Sequence, residues 1–185
     1  MGNFAFLCSA PPCGGSHHPA AREITLGGPG RPTPSTGTTE RCDLKTFYTA
    51  AVDVEGGRGG QATGIGGVSC LTLADPRELG GSGTGTNPEQ LLAVALGASF
   101  GSALDLEARQ IGCVIEPLRV TASVSLGHGD SDYHAISVEL RCHLPSLPRG
   151  IAERLLRAAR DACPYCRMIR GDVEITVLLA SVDEV

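Results

Sequence analysis

The chain has no tryptophan, and its other aromatics are four phenylalanines and three tyrosines. An aromatic platform for stacking bases therefore has too little material to be built from. It also lacks a basic run. Its 15 Lys and Arg are outnumbered by 20 Asp and Glu, for a net charge of −5. That balance is the wrong sign for holding a phosphate backbone, so no nucleic-acid partner is expected. No continuous apolar stretch approaches the roughly 18 residues of a membrane span, and no membrane association is expected. The opening "MGNFAFLCSAPPCGG" has no basic start of a secretory leader. It carries Phe6 where a myristoylation signal wants Ser or Thr. A cytoplasmic protein is the expectation.

Glycine, proline and cysteine are well supplied, at 25, 12 and eight residues. The cysteine spacings do not form the framework of a small secreted domain, so the thiols are read as mostly reduced. Residues 1–43 are rich in Pro, Gly, Ser and Thr ("GGPGRPTPSTGTTE") and offer little apolar surface to offset ordering, which reads as a disordered extension. Cys8, Cys13, His17 and His18 fall in it. No second half of a zinc site follows them, and they are read as tail residues, not ligands.

Residues 44–185 read as one α+β domain. "TFYTAAVDVE" and "VSCLTLA" have strand character, with "GGRGG" as the turn. "ELGGSGTGT" lacks the Gly-Lys-Ser/Thr ending of a phosphate loop and reads as a flexible loop. In "NPEQLLAVALGASFGSAL", Asn87 suits an N-cap, Pro88 the first helical position, and Glu89 the first turn, where the helix dipole favours an acid. This helix, to about Arg109, is apolar nearly all round and is expected to be buried. "LRVTASVSL" and "YHAISVELRCHL" alternate as strands joined around residues 127–130. "RGIAERLLRAARDAC" is an amphipathic helix stopped by Pro164, and "DVEITVLLASV" is a last strand.

Four features of this stretch could carry chemistry. "CPYC", Cys163 to Cys166, suggests a redox dithiol, half a zinc site, or simply two buried thiols. Redox motifs of this kind normally open a helix, whose positive end lowers the first thiol's pKa. Here the motif follows one, and no second C-x-x-C completes a zinc site. Arg58 in its glycine-flanked turn reads by itself as a solvated arginine, and Glu89 as a capping acid. Ser99 is a lone hydroxyl in the middle of an apolar helix. Cys70, Cys113 and Cys142 have no motif around them and read as packing residues.

Three stretches taken together, "YTAAVDVEGGRGGQA", "PRELGGSGTGTNPEQLLAVALGASF" and "CPYCRMIRGDVEITV", resemble the organic hydroperoxide resistance branch of the OsmC/Ohr family. The likeness runs from about Lys45 to Val182. It implies an OsmC-like α+β fold, with antiparallel sheets around two buried helices, in an intertwined homodimer. It also implies a thiol peroxidase that reduces organic and fatty-acid hydroperoxides in the response to oxidative stress. The reductant would be a lipoylated protein or a small dithiol, with no bound cofactor and no metal. By the resemblance, the activating arginine falls on Arg58, its glutamate on Glu89 and the resolving cysteine on Cys163.

The peroxidatic cysteine falls on position 99, where this chain has Ser99. Peroxide reduction oxidises a thiolate to a sulfenic acid and then to a disulfide, a ladder that a hydroxyl cannot climb. Lost or altered activity is therefore expected. Three functions follow: a peroxidase scaffold with its nucleophile replaced, a binding or regulatory protein that keeps the pocket, and a rewired thiol enzyme using Cys163 and Cys166. For the third, slow or no pairing is expected, because neither thiol inherits the arginine by motif. Glu89 and Ser99 are ten residues apart on one helix, about 15 Å of rise. Arg58 and Glu89 are thus expected to serve the site of a second copy.

Overall fold

The computed structural model describes residues 45–64, 70–128, 134–171 and 173–180. Contacts divide the chain between Thr46 and Phe47. The tail boundary expected at residue 43, and the tail's Cys8, Cys13, His17 and His18, lie outside the described residues.

The first sheet is small. Strand β1 (Val52–Glu55) pairs antiparallel with β2 (Gln61–Gly64), which pairs with β3 (Leu71–Thr72). Strand β2 is absent from the sequence reading because "QATG" has no apolar alternation to reveal it. Only its Ala62 is buried. Conversely, "TFYTAAVDVE" pairs only over its last four residues, and Phe47 and Tyr48 stand exposed. The β1–β2 connection is a tight 3-10 turn over Gly57–Gly59. Gly56 and Gly57 have φ of 73° and 59°, the left-handed region that side chains disfavour. Arg58 is thereby presented at the tip of a rigid hairpin.

Helix α1 (Pro88–Gln110) begins as expected. The Asn87 side chain accepts from the Gln90 amide at 2.8 Å, and Gln90 accepts from the Asn87 amide, a complete capping box with Pro88 following. Its burial departs from expectation. Leu96, Phe100, Ala103, Leu104 and Ala108 form an inner face in the core, whereas Val94 and Leu106 on the outer side are 69% and 55% exposed. Contrary to the sequence reading, α1 is long and apolar enough, by length and composition, to cross a membrane. Glycines and serines interrupt its apolar run locally but not its average over the whole length. Its inner face is occupied by protein, as befits a core helix.

Strands β4 (Arg119–His128) and β5 (His134–His143) form a long antiparallel ladder from Arg119 opposite His143 to His128 opposite His134. Gly127 and His128, expected in the turn, still belong to β4. Val138, Leu140 and Cys142 alternate inward on β5. Helix α2 (Arg149–Ala162) then carries the chain back along the sheet, so β6 (Glu174–Leu179) joins β5 in parallel. This one pairing is parallel beside ladders that are otherwise antiparallel, as expected. The α+β class itself holds: α1 and α2 pack together on the second sheet, with Leu96, Phe100, Leu104, Leu140, Cys142, Cys163 and Cys166 at the centre of the core.

Candidate active site

Two clusters lie along α1. At its start, the hairpin brings Arg58 against Glu89. Arg58 Nη1 donates to Glu89 Oε1 at 3.0 Å and Nη2 to Oε2 at 2.9 Å, a fork-to-fork pair. The guanidinium Nε donates to Asp75 Oδ1 at 2.5 Å. One cation thus holds two carboxylates. The hydrogen bonds from Arg58 keep the Glu89 carboxyl below its ordinary range. The bonds to Glu89 and Asp75 make the guanidinium harder still to deprotonate.

Asp75 escaped the sequence reading. Nothing in "LADPREL" distinguishes it from a turn acid; only folding places it at the arginine. It is held there by the glycine-rich loop, which proves to be tied and not free. Gly81 and Gly83 donate their amides to the carbonyls of Pro76 and Asp75. A Cβ at Gly81 would sit 2.1 Å from the Asp75 carbonyl oxygen, so only glycine fits that approach. A largely apolar cleft opens beside Glu89, with Leu79, Ala93, Ala122, Val124 and Leu126 among its walls.

The second cluster lies further along α1. Half-buried Ser99 places its Oγ 3.4 Å from the Sγ of Cys163. Cys163 caps the C-terminal end of α2 and also begins a further short helix, α3 (Pro164–Met168), with Pro164 in its first turn. The C-x-x-C therefore opens a helix as well as following one, which corrects the sequence reading. Pro164 ends one helix and is at the same time well suited to start the next. Burial pushes the Cys163 thiol up. Hydrogen bonds from Ser99, from the Cys166 amide and thiol and from the Tyr165 amide outweigh it, and the net displacement is downward. Burial, and then the neighbouring Cys163, push Cys166 up to about 12.

The model of the OsmC-like protein family matches residues 81–178. The organic hydroperoxide resistance protein of Xanthomonas axonopodis pv. citri is 36% identical over 138 residues, covering 74% of this chain and 96% of that protein. A crystal structure of an organic hydroperoxide resistance protein from Legionella pneumophila superposes with a TM-score of 0.70 at 36% identity, over 74% of this chain and all of that one. That of OhrB from Bacillus subtilis gives 0.67 at 35% identity, over 73% and 100%. The chain belongs to the OsmC-like family, in its organic hydroperoxide resistance branch.

In this OsmC-like chain the four positions named by resemblance form two pairs, Arg58 with Glu89 and Ser99 with Cys163. The pairs do not meet, because ten residues of straight helix separate Glu89 from Ser99, about 15 Å. Of the remaining described cysteines, Cys142 is buried and its thiol is pushed up to about 12 by that burial, as a packing residue should be. Cys70 is instead exposed and bonds Gln61 at 3.3 Å. Among the described residues no group of three or more His, Cys, Asp and Glu side chains converges as a metal site would.

Proposed function

We propose that this chain is an organic hydroperoxide reductase scaffold in which a hydroxyl, Ser99, stands at the position of the attacking thiolate. The observation that carries the reading is the forked Arg58–Glu89 pair beside an apolar cleft. A fixed guanidinium favours a thiolate over a thiol and steadies the oxygen that leaves when the O–O bond breaks. Apolar walls suit an alkyl or acyl substituent better than they suit hydrogen peroxide. The exposed Val94 and Leu106 on α1 and the 15 Å separation support a homodimer in which Arg58 and Glu89 act on position 99 of the partner. A lipoyl group or small dithiol returns the electrons.

The test is Ser99→Cys. Serine and cysteine differ little in volume, so the site should accept the sulfur, and Cys163 already lies within contact of position 99. Reduction of an alkyl hydroperoxide with dihydrolipoamide should rise at least about 100-fold over the unchanged chain, with a 99–163 disulfide found by peptide mapping. If the variant is folded and dimeric yet no faster, the peroxidase reading fails, and a protein that binds without turnover is the better description.

A further inference from the structure

The loss of sulfur at position 99 has a counterpart 64 residues later in the hydrogen-bond geometry. Ser99 Oγ touches Cys163 Sγ at 3.4 Å. The neighbouring Cys166 is buried beside it in the same core, and its thiol is among the groups that shift the Cys163 sulfur. Cys163 and Cys166 are one helical turn apart, with Cys163 at the extended position before α3. Residues spaced three apart in this way bring their Cβ atoms to about 5–6 Å in a regular helix, and modest adjustment closes a disulfide. Both sulfurs are buried, at 0% and 1% exposure, and of the three groups only Ser99 keeps appreciable surface.

We infer that the chain as it stands has moved its redox pair one step inward, so that Cys163 attacks the organic hydroperoxide, Cys166 resolves it, and Ser99 is the hydrogen-bond donor that positions the attacking sulfur. This rests on the substrate class of the preceding section but not on a sulfur at position 99. The hydroperoxide meets the half-buried Ser99 hydroxyl first, 3.4 Å from the Cys163 sulfur. The Cys163 thiolate attacks the terminal oxygen, the O–O bond breaks, and the alkoxide takes a proton and leaves as the alcohol. Cys163 is then a sulfenic acid. The Cys166 sulfur attacks the Cys163 sulfur, the S–O bond breaks, and the departing hydroxide takes the Cys166 proton and leaves as water. Two electrons have passed from the two sulfurs to the peroxide. A dithiol reverses the disulfide by exchange and is itself oxidised to its cyclic disulfide.

The opposed displacements of the two thiols suit these roles. Cys163 is held toward the thiolate, while Cys166 keeps its proton until the second step. Arg160 and Arg170 lie close enough for their charges to temper the rise at Cys166. The motif's late position in the chain, just past α2, is no obstacle, because Pro164 restarts the helix at once.

The test uses the full, unchanged chain with one equivalent of cumene hydroperoxide, following alcohol release and mapping disulfides. The expected result is stoichiometric alcohol and a 163–166 disulfide, formed about 100-fold more slowly than Ser99→Cys reacts, because both sulfurs are buried. Cys166→Ser should still release alcohol but stop at a sulfenic acid on Cys163 that dimedone traps. Cys163→Ser should release none. Should Cys166→Ser fail to fold, the disulfide map of the unchanged chain decides alone. Free Cys163 and Cys166 after peroxide, in a preparation where Ser99→Cys is active, would overturn this inference and leave the family reading standing. Oxidation confined to exposed Cys70 would also overturn it. If Ser99→Cys is inert as well, both fail together.

Discussion

The two ends of one helix segment hold two kinds of site. At the start of α1, Arg58, Asp75 and Glu89 are charged and partly open to solvent, and they are fixed by a forked pair to Glu89 at 2.9–3.0 Å and a single bond to Asp75 at 2.5 Å. Ten residues on, at Ser99, Cys163 and Cys166, the two sulfurs are shut away, and the contact between Ser99 and Cys163 is a softer 3.4 Å. The first cluster has a field but no nucleophile. The second has nucleophiles but, among the described residues, no cation hydrogen-bonded to them. Each lacks what the other supplies, and a straight helix keeps them about 15 Å apart. Two copies arranged head to tail along this helix would bring opposite ends together, which a single chain cannot do.

The sharpest way to break this comparison is a mixed dimer. In the Ser99→Cys background, Arg58→Ala should lower peroxide reduction by about 100-fold, the usual scale for removing one electrostatic donor from a reacting centre. Mixing that double variant with the unchanged chain creates dimers in which one copy brings the sulfur and the other brings the arginine. Rescue of a substantial share of the activity is expected. Activity no higher than that of the double variant alone would mean that the arginine acts within its own chain.

A smaller effect concerns acid stability. Arg58 holds the Glu89 carboxyl below its ordinary range, so the pair's contribution is fully present above the unfolded glutamate pKa of about 4.3 and is lost as pH falls through the lower folded value. Glu89→Gln should therefore lower the urea midpoint near neutral pH, with the gap to the parent closing only below about pH 4. A gap that is the same at every pH would show that the pair contributes packing and not charge. Arg58 adds no window of its own, since it stays protonated throughout.

The smallest effect is expected from removing residues 1–43. Its composition offers few apolar residues to a core. The mass by light scattering and the melting temperature should be unchanged. A clear fall in either would assign the segment a structural role.

Local chemistry was enough to place much of this fold. The capping box at Asn87 and Gln90, the apolar periodicity of α2, and the alternation in β4 and β5 each follow from neighbours a few residues apart, so the sequence by itself determined them. It determined as well that position 99 holds an oxygen where the related family implies a sulfur. The tertiary structure decided the rest. Strand β2 is visible only through its partners. The parallel entry of β6 is a consequence of where α2 delivers the chain. Asp75 becomes part of the arginine cluster because a loop 17 residues from Arg58 folds back over it. The outer face of α1, read as buried, is left open because a single chain has only enough core to cover one side of so apolar a helix. The contact between Ser99 and Cys163 spans 64 residues, and no local pattern encodes a contact of that range: it exists because α1 and α2 pack side by side and Pro164 turns the end of one helix into the beginning of another.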